Sequence, residues 1–396
     1  MRHKLMRITT VPISLLVLLK RQLLFMADHF EVIAISSGGE ALSELALETS
    51  LKVKQVNMTR KITPFNDLHS IYKLLKIMRC ESPMIVHTHT PKAGLLGMMA
   101  AWLTGVPVRL HTVAGLPLLE KKGFVKWALK LTEMLTSACA TQVFCNSKNL
   151  MNLMIKEGYC SKAKLKVLGE GSTVGIDTTF FDPGNYGDSN KRTNLRLSLS
   201  IKKDSFVFCF VGRMVGDKGI NELVQAFSNL YENNSKLILL LVGPFEEDLD
   251  PLKSNIKSLI HSHPGIRWLD FKKDVRSYLW ISDLFVFPSY REGFPNVLMQ
   301  AGAMGLMCIV SDINGCNEII EHNVNGLIVP IKDIKALESA MQLGYSRSDL
   351  RQAMSLVSRK MIKDRYESEM MVSLLLKEYQ GKIQQHIQTK NTIDYV

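Results

Sequence analysis

The chain has 396 residues, 46% of them hydrophobic and 22% charged, which excludes a disordered polypeptide and exceeds what one ordinary core accommodates. Lysine and arginine outnumber aspartate and glutamate by 49 to 37, so the surplus of +12 asks for an anionic partner. No Lys/Arg cluster is interleaved with stacking aromatics, which argues against nucleic acid. The seven cysteines are scattered without CxxC spacing, which argues against a zinc knuckle or a disulfide frame and for a reducing compartment.

At the N-terminus, basic Met1–Arg7 followed by apolar Ile8–Leu19 mimics a signal peptide. Pro12 interrupts the run, Lys20 and Arg21 close it, and no small-residue cleavage site follows. No stretch reaches the roughly 18 apolar residues that span a bilayer. The expectation is a cytoplasmic chain, held peripherally at the inner face of the plasma membrane if attached at all. Leu5–Val11 predicts a strand and Leu15–Met26 a helix apolar on nearly every side. Glu31–Ser36, Val53–Met58, Met84–Thr88, Val108–Thr112 and Thr141–Asn146 predict further strands with helices between most of them. That alternation means a parallel sheet covered on both faces.

The turn-rich stretch from Asp182 marks a boundary. Phe206–Val211, Leu237–Val242, Ile266–Leu269, Leu284–Pro288, Cys308–Ser311 and Gly326–Val329 then build a second sheet. Met370, Met371, Leu374, Leu375 and Tyr379 recur at helical spacing. The expected division is a first domain over 1–183, a linker over 184–203 and a second domain over 204–365. A helix over 366–383 returns towards the first domain, and a frayed tail covers 384–396.

Two segments of the second half carry chemistry. The strand Phe206–Val211 ends at Gly212, and Arg213 and Lys218 follow, five residues apart, in a glycine-punctuated loop before a helix. Glycine lets backbone approach a ligand, and a guanidinium with an ammonium supplies the positive charge a departing diphosphate needs; two cations in a solvated loop are the plainer reading. In the next segment a strand ends at Pro288, and a loop with Glu292 and Gly293 leads to Pro295 at a helix start, whose free N–H groups favour anions. Gln300 lies eight residues beyond Glu292, roughly two helical turns along the same face. Ser311–Glu318 repeats the strand, glycine loop and acid.

Taken in order, Arg213 and Lys218, the loop Glu292-Gly-Phe-Pro-Asn296, the segment from Gly315 to Glu318 and the closure Asn325-Gly-Leu-Ile-Val-Pro330 resemble glycosyltransferase family four, the retaining enzymes of GT-B fold. Gly169-Glu-Gly-Ser172 and Gly175-Ile-Asp177 resemble the end of that family's first domain. The resemblance covers nearly the whole chain, and its flavour is that of bacterial enzymes building capsule, O-antigen or exopolysaccharide units on a lipid carrier. It implies an α/β protein of two Rossmann-like, doubly wound parallel-sheet domains facing across a cleft. It also implies retaining transfer of a hexose or N-acetylhexosamine from a nucleotide diphosphate, UDP first, to a glycan acceptor that is lipid-linked, with no metal and no cofactor beyond the nucleotide-sugar substrate. Carried over by position, Arg213 and Lys218 take the diphosphate and Glu292 faces the donor sugar. Gly212, Gly293, Phe294, Pro295, Asn296, Gln300, Gly315 and Glu318 complete the donor contacts. Two positions depart from the family pattern: Gln300 stands where the second of its paired acids would bind the ribose, and Ala114 where a histidine often precedes the glycine.

On the acceptor side the resemblance points to the first domain, where Thr10, His89, Lys92 and His111 are the candidates. His87 and His89 alternate along an extended segment and so share a side, yet a third metal ligand is missing nearby. Lys122, Lys126 and Lys130 align on one face of a predicted helix, with Phe124, Trp127, Ala128, Leu131 and Leu135 as its apolar side. This is either a core helix with a wet lysine stripe or a site for anionic lipid headgroups, an anionic membrane surface being the partner the net charge favours. Asp248-Leu-Asp250 spells the metal motif of the other great glycosyltransferase fold, but no strand runs directly into it, so it reads as solvated surface. Gly169–Gly175 misses the GxGxxG spacing. Two rivals stay open: a nucleotide-sugar epimerase or hydrolase on the same frame, and a catalytically degenerate assembly partner.

Overall fold

The computed structural model describes residues 2–59, 63–116, 123–246 and 250–394. Two compact units make up the chain: Met1–Val174 with Glu369–Val396, and Gly175–Ser368. The first contains strands β1 (Lys4–Ile8), β2 (Glu31–Ser36), β3 (Lys52–Gln55), β4 (Ile85–His89), β5 (Val108–Val113), β6 (Gln142–Cys145) and β7 (Leu165–Val167), in spatial order β3-β2-β1-β4-β5-β6-β7. Every pair is parallel. Strand β7, only three residues long, is too short to announce itself as an apolar run.

Side chains along β1 alternate between two cores. Leu5 joins Val32 and Ala34 on one face, under Leu23 of helix Lys20–Ala27 and Leu375 and Tyr379 of helix Ser368–Asp394. Met6 and Ile8 face the other way, against Leu74 and Met78 of helix Pro64–Glu81 and Leu96 of helix Pro91–Leu103. Burial on both faces is why β2 carries the unbroken apolar run Val32–Ile35 in place of an alternating pattern. Each fully buried Leu or Ile is worth roughly 1.5–3 kcal/mol, so Met371, Leu375 and Tyr379, all 2% exposed or less, tie the terminal helix to this sheet. That helix continues to Asp394, where fraying was expected from residue 384.

The second unit holds β8 (Phe206–Val211), β9 (Leu237–Val242), β10 (Ile266–Leu269), β11 (Leu284–Phe287), β12 (Cys308–Ser311) and β13 (Gly326–Val329), ordered β10-β9-β8-β11-β12-β13 and again all parallel. In each unit the strand order reverses once, between β1 and β4 and between β8 and β11. At such switch points the strand carboxyl ends open a crevice that suits ligands.

Residues 184–203 are not a linker. They form the 3₁₀ turn Pro183–Tyr186 and helix Ser189–Ser198 inside the second unit. The helix starts where the Asp188 carboxylate accepts the Asn190 N–H at 2.8 Å, and its Arg196 is buried, donating to the Ile281 carbonyl and to Asp283 at 2.8 Å. Turn-forming residues at its start hid the helix.

Of the two readings open for the lysine-bearing helix Gly123–Cys139, the core helix with a wet lysine stripe does not hold. Trp127, Leu131 and Leu135, which that reading puts inside, are exposed, while Glu133, Thr136 and Ser137 are buried. Lys126 is exposed and Lys130 half-buried, with its ammonium 5.6 Å from the Tyr159 ring centre; Lys122 and the Phe124 side chain lie outside the described residues. Among the described residues, no helix is long and apolar enough to cross a membrane.

Candidate active site

The site in the second unit begins where two strands stop together. Val211 of β8 pairs with Val242 of β9, and the next residues are Gly212 and Gly243. A Cβ on Gly243 would sit 1.9 Å from the Gly212 carbonyl oxygen, so these turns meet backbone on backbone. The chain then loops through Arg213 and Lys218 to Gly219, whose φ of +68° and close approach to Pro288 exclude a side chain: a Cβ there would lie 2.1 Å from the Pro288 carbonyl oxygen. Helix Ile220–Asn233 follows.

Asp217 joins this loop to the one after β11. Its carbonyl accepts the Tyr290 N–H at 2.8 Å and the Ser289 hydroxyl at 3.3 Å, and its carboxylate accepts the Arg291 guanidinium at 3.0 Å and 2.5 Å. Tyr290 is fixed in turn, donating its hydroxyl to Glu222 at 2.5 Å; burial and that carboxylate push the phenol up. The result brings together two residues far apart in sequence: the Lys218 ammonium donates to the Glu292 carboxylate, and each side chain is 14% exposed. Lys218 also stands 5.6 Å from the centre of the Phe287 ring.

A third loop holds Glu292 from behind. The Asn314 side-chain amide donates to the carbonyls of Glu292 and Gly293 at 3.4 Å and 3.3 Å. Gly315 has φ +79°, and a Cβ there would fall 2.5 Å from the Gly293 carbonyl oxygen. Phe294 is buried with its ring centre 5.4 Å from that of Tyr366, whose hydroxyl donates to the Glu318 carbonyl at 3.2 Å. Cys316 is wholly buried; burial and then the Glu292 carboxylate push its thiol well above the ordinary range, which makes it unreactive.

Helix Asn296–Ala303 has Pro295 at its N-cap and no side-chain cap, so its first N–H groups are left for another partner. Because it starts at Asn296, residues 292–295 are not helical, and the expected two-turn alignment of Glu292 with Gln300 does not hold. Gln300 lies mid-helix, half-buried, with no side-chain hydrogen bond to the described residues. Arg213 is more open. Its guanidinium donates to Glu246 at 2.7 Å, and both side chains are over a third exposed. Asp250 is exposed and its carbonyl accepts the Gly216 N–H at 2.9 Å; Asp248 lies outside the described residues. At the carboxyl ends of β8 and β11 there are thus an ammonium, a guanidinium and an uncapped helix start, each cation balanced by a carboxylate that an anionic ligand can displace. Asp217, Tyr290 and Asn314 were invisible to motif reading, because their work is to hold backbone.

The first-unit candidates are engaged by the fold itself. The Thr10 and Thr90 hydroxyls lie 2.7 Å apart, and Thr10 also accepts the Ala93 N–H at 3.2 Å. Lys92 donates to both oxygens of Asp67 at 2.8 Å. His111 lies 2.8 Å from the Thr88 hydroxyl, and burial lowers it to about 4. His89 stacks on His87 with ring centres 4.4 Å apart and lies 2.7 Å from the Arg7 guanidinium. Arg7 is the unforeseen member. It is fully buried, donates to Tyr379 at 2.9 Å and to Gln22 at 2.8 Å, and has no carboxylate within ion-pair distance among the described residues. Burial, then the neighbouring positive charge of Arg7, hold His89 neutral; His87 is likewise neutral through burial, His89 and Arg7.

Residues 191–361 match the family model described as glycosyl transferases group 1, and residues 14–147 the model described as glycosyl transferase 4-like. The chain is 31% identical over 388 residues to the capsular polysaccharide biosynthesis glycosyltransferase CapM of Staphylococcus aureus, covering 96% of this chain and 99% of that one. It is 33% identical over 288 residues to the UDP-Gal:alpha-D-GlcNAc-diphosphoundecaprenol alpha-1,3-galactosyltransferase of Escherichia coli, covering 72% of each. Similar solved structures include a glycosyltransferase of Rickettsia africae, with TM-score 0.80 at 20% identity over 96% of this chain and 99% of that one. Anabaena HepE in complex with UDP is another, with TM-score 0.78 at 16% identity over 96% and 100%. At these identities the structures speak for the fold.

Proposed function

This chain belongs to glycosyltransferase family four, and from that premise we propose that it moves a hexose or N-acetylhexosamine from UDP, with retention, to a lipid-linked glycan acceptor in surface polysaccharide synthesis. The observation that carries the donor half is the meeting of Lys218 and Glu292 beside the uncapped start of helix Asn296–Ala303. A diphosphate arriving there takes the Lys218 ammonium from Glu292 and the Arg213 guanidinium from Glu246. Glu292, relieved of its partner, is then free to accept hydrogen bonds from sugar hydroxyls. Gly212, Gly293 and Gly315 let backbone close on the ligand, Phe294, Pro295 and Asn296 shape the helix mouth, and Gln300 and Glu318 complete the donor contacts in this reading.

In the transfer step the acceptor hydroxyl oxygen bonds to the anomeric carbon as the bond from that carbon to the diphosphate oxygen breaks, and the hydroxyl proton passes to the departing diphosphate. Entry and departure on one face retain the configuration. Preorganised charges of this kind are typically worth about 3 kcal/mol each in the transition state, roughly a hundredfold in rate. The names of the E. coli relative and of a Campylobacter jejuni relative, 27% identical over 314 residues, both specify diphosphoundecaprenol-linked acceptors, and that of the S. aureus relative specifies capsule. They support a polyprenyl-diphosphate acceptor.

Incubating the purified chain with a panel of UDP-sugars, with and without a polyprenyl-diphosphate sugar, tests this. Acceptor-dependent UDP release with sugar appearing on the lipid, unchanged by a chelator, is the expected result. UDP or epimer formed equally without acceptor would establish the epimerase or hydrolase, and failure to bind any UDP-sugar would establish a degenerate partner.

A further inference from the structure

In the first unit, parallel register puts Arg7 of β1 beside His87 of β4, and His89 beside Thr112 of β5. The protons of this buried group follow from donor chemistry. A guanidinium only donates, so His89 Nε2, 2.7 Å from Arg7, accepts. Burial and Arg7 keep that ring neutral, and its proton therefore sits on Nδ1. The Tyr379 hydroxyl accepts from Arg7 at 2.9 Å, and among the described residues its own proton has one receiver, His87 Nδ1 at 2.6 Å. His87 then donates from Nε2 to the Thr112 hydroxyl at 2.8 Å, which leaves the Thr112 proton to go onward. Two branches thus leave one permanent charge, and each ends in a donor, His89 Nδ1–H and Thr112 O–H, with no acceptor among the described residues. Both residues line a crevice of about 10 Å³, room for a single water-sized oxygen. Gln22 and Asn146 share that lining, and their side-chain oxygens are taken, by Arg7 and by the Thr173 hydroxyl, each at 2.8 Å. Arg7 itself is buried without a carboxylate, and its Nε has no partner. Packing alone gives no reason for this, since apolar side chains of the same volume hold helix to sheet at less cost.

We infer that this crevice binds one anionic oxygen, of a phosphate or a carboxylate, held by His89 Nδ1–H and Thr112 O–H with the Arg7 charge behind them. Arg7, Tyr379 and His87 do not touch the ligand; they are positioning residues that fix which way each proton points. The same assignment limits His89. Its Nδ1 has no lone pair to offer, so it recognises an oxygen and takes no proton from one. His89 ends β4 at the carboxyl side of the first sheet, next to the switch between β1 and β4, where ligands approach such sheets. The oxygen belongs to the acceptor of the proposed transfer or to a free anion. In the first case the site deepens that reading, and in the second it stands without it.

The experiment is nitrogen-15 NMR of the histidine rings of the full chain at pH 7.5, titrated with inorganic phosphate, acetate and methanol. Expected are a protonated Nδ1 and bare Nε2 in His89, and the reverse in His87. The His89 Nδ1 signal should shift saturably with phosphate and acetate and stay still with methanol. Followed through the His87 ring, His89→Leu should weaken phosphate about tenfold or more, whereas His89→Gln, whose amide still donates, should stay within about threefold of the parent. Tyr379→Phe should change the His87 tautomer and leave that of His89, an effect that a merely structural network would not produce. These readouts are independent of transfer activity, so they stand or fall apart from it. Adding a short-chain prenyl diphosphate sugar assigns the oxygen: displacement of phosphate gives it to the acceptor, and no displacement gives it to a free anion. A proton on His89 Nε2, a signal indifferent to both anions, or parent-like affinity in His89→Leu overturns the site.

Discussion

The ammonium of Lys218 rests on the carboxylate of Glu292, although one follows β8 and the other β11. Neither side chain is well solvated, each being 14% exposed. Such a pair is held by its surroundings more than by its own attraction, since desolvation takes back much of the Coulomb gain. Here the surroundings are the Asp217 contacts and the Asn314 amide.

If this pair is the donor machinery, Lys218→Ala and Glu292→Gln should each lower kcat/KM by about a hundredfold, measured well below the melting temperature, which also drops because the poorly solvated partner is left unpaired. The double variant should lose less than the product of the two, because each residue works through the other. Steady-state kinetics on the three variants decide it; near-parent turnover in either single variant removes that residue from the mechanism.

Arg213 is restrained by Glu246 across a pair that is over a third exposed on both sides. Exposed pairs are worth about 0.2–1 kcal/mol. Glu246→Gln should therefore free the guanidinium and tighten UDP binding by up to about fivefold, an advantage that shrinks in high salt. Calorimetric titration with UDP at two ionic strengths measures it. Weaker binding in the variant would mean that Glu246 positions Arg213 and does not compete for it.

Gly315 has no room for a methyl group: φ is +79° and the Gly293 carbonyl oxygen lies 2.5 Å from the Cβ position. Gly315→Ala should cost about 2 kcal/mol or more in stability and push the Glu292 loop out of place. Urea unfolding together with UDP titration reads both effects. Unchanged affinity despite lost stability would separate the loop's packing from its function.

His87, His89 and His111 are buried and held neutral, with Arg7 beside them. Their folded-state values lie below those of the unfolded chain, so the unfolded state binds more protons as pH falls. The stabilising contribution is complete above about pH 6.5 and is lost as pH drops from there towards about 4, the value for His111. For His111 alone the full loss is about 3 kcal/mol. Urea unfolding at pH 7.5 and pH 5 should show it, and His111→Asn should flatten the slope. A slope unaltered by that change would place the proton uptake elsewhere.

Several features of this protein are written along the chain. Period and punctuation mark β8 and β9, whose apolar runs are bounded by turn residues, and the order of Arg213, Lys218, Glu292 and Gly315 is a linear pattern that needs no coordinates. Sheet membership is legible there because burial on both faces leaves an unbroken apolar run.

Orientation and partnership are not local, and only the tertiary structure decided them. The amphipathic pattern of Gly123–Cys139 says that one face is apolar but not which medium that face meets, and the fold turned it outward. Thr10, Lys92 and His89 look like free polar groups until Thr90, Asp67 and Arg7 arrive from elsewhere in the chain. Arg7 sits in an ordinary strand until Tyr379 closes over it from the far end of the sequence. Helix Ser189–Ser198 was hidden in turn-forming composition, and its place became visible only when Arg196 found the Ile281 carbonyl and Asp283. A side chain's chemistry belongs to its type, but its partners are chosen by three-dimensional packing.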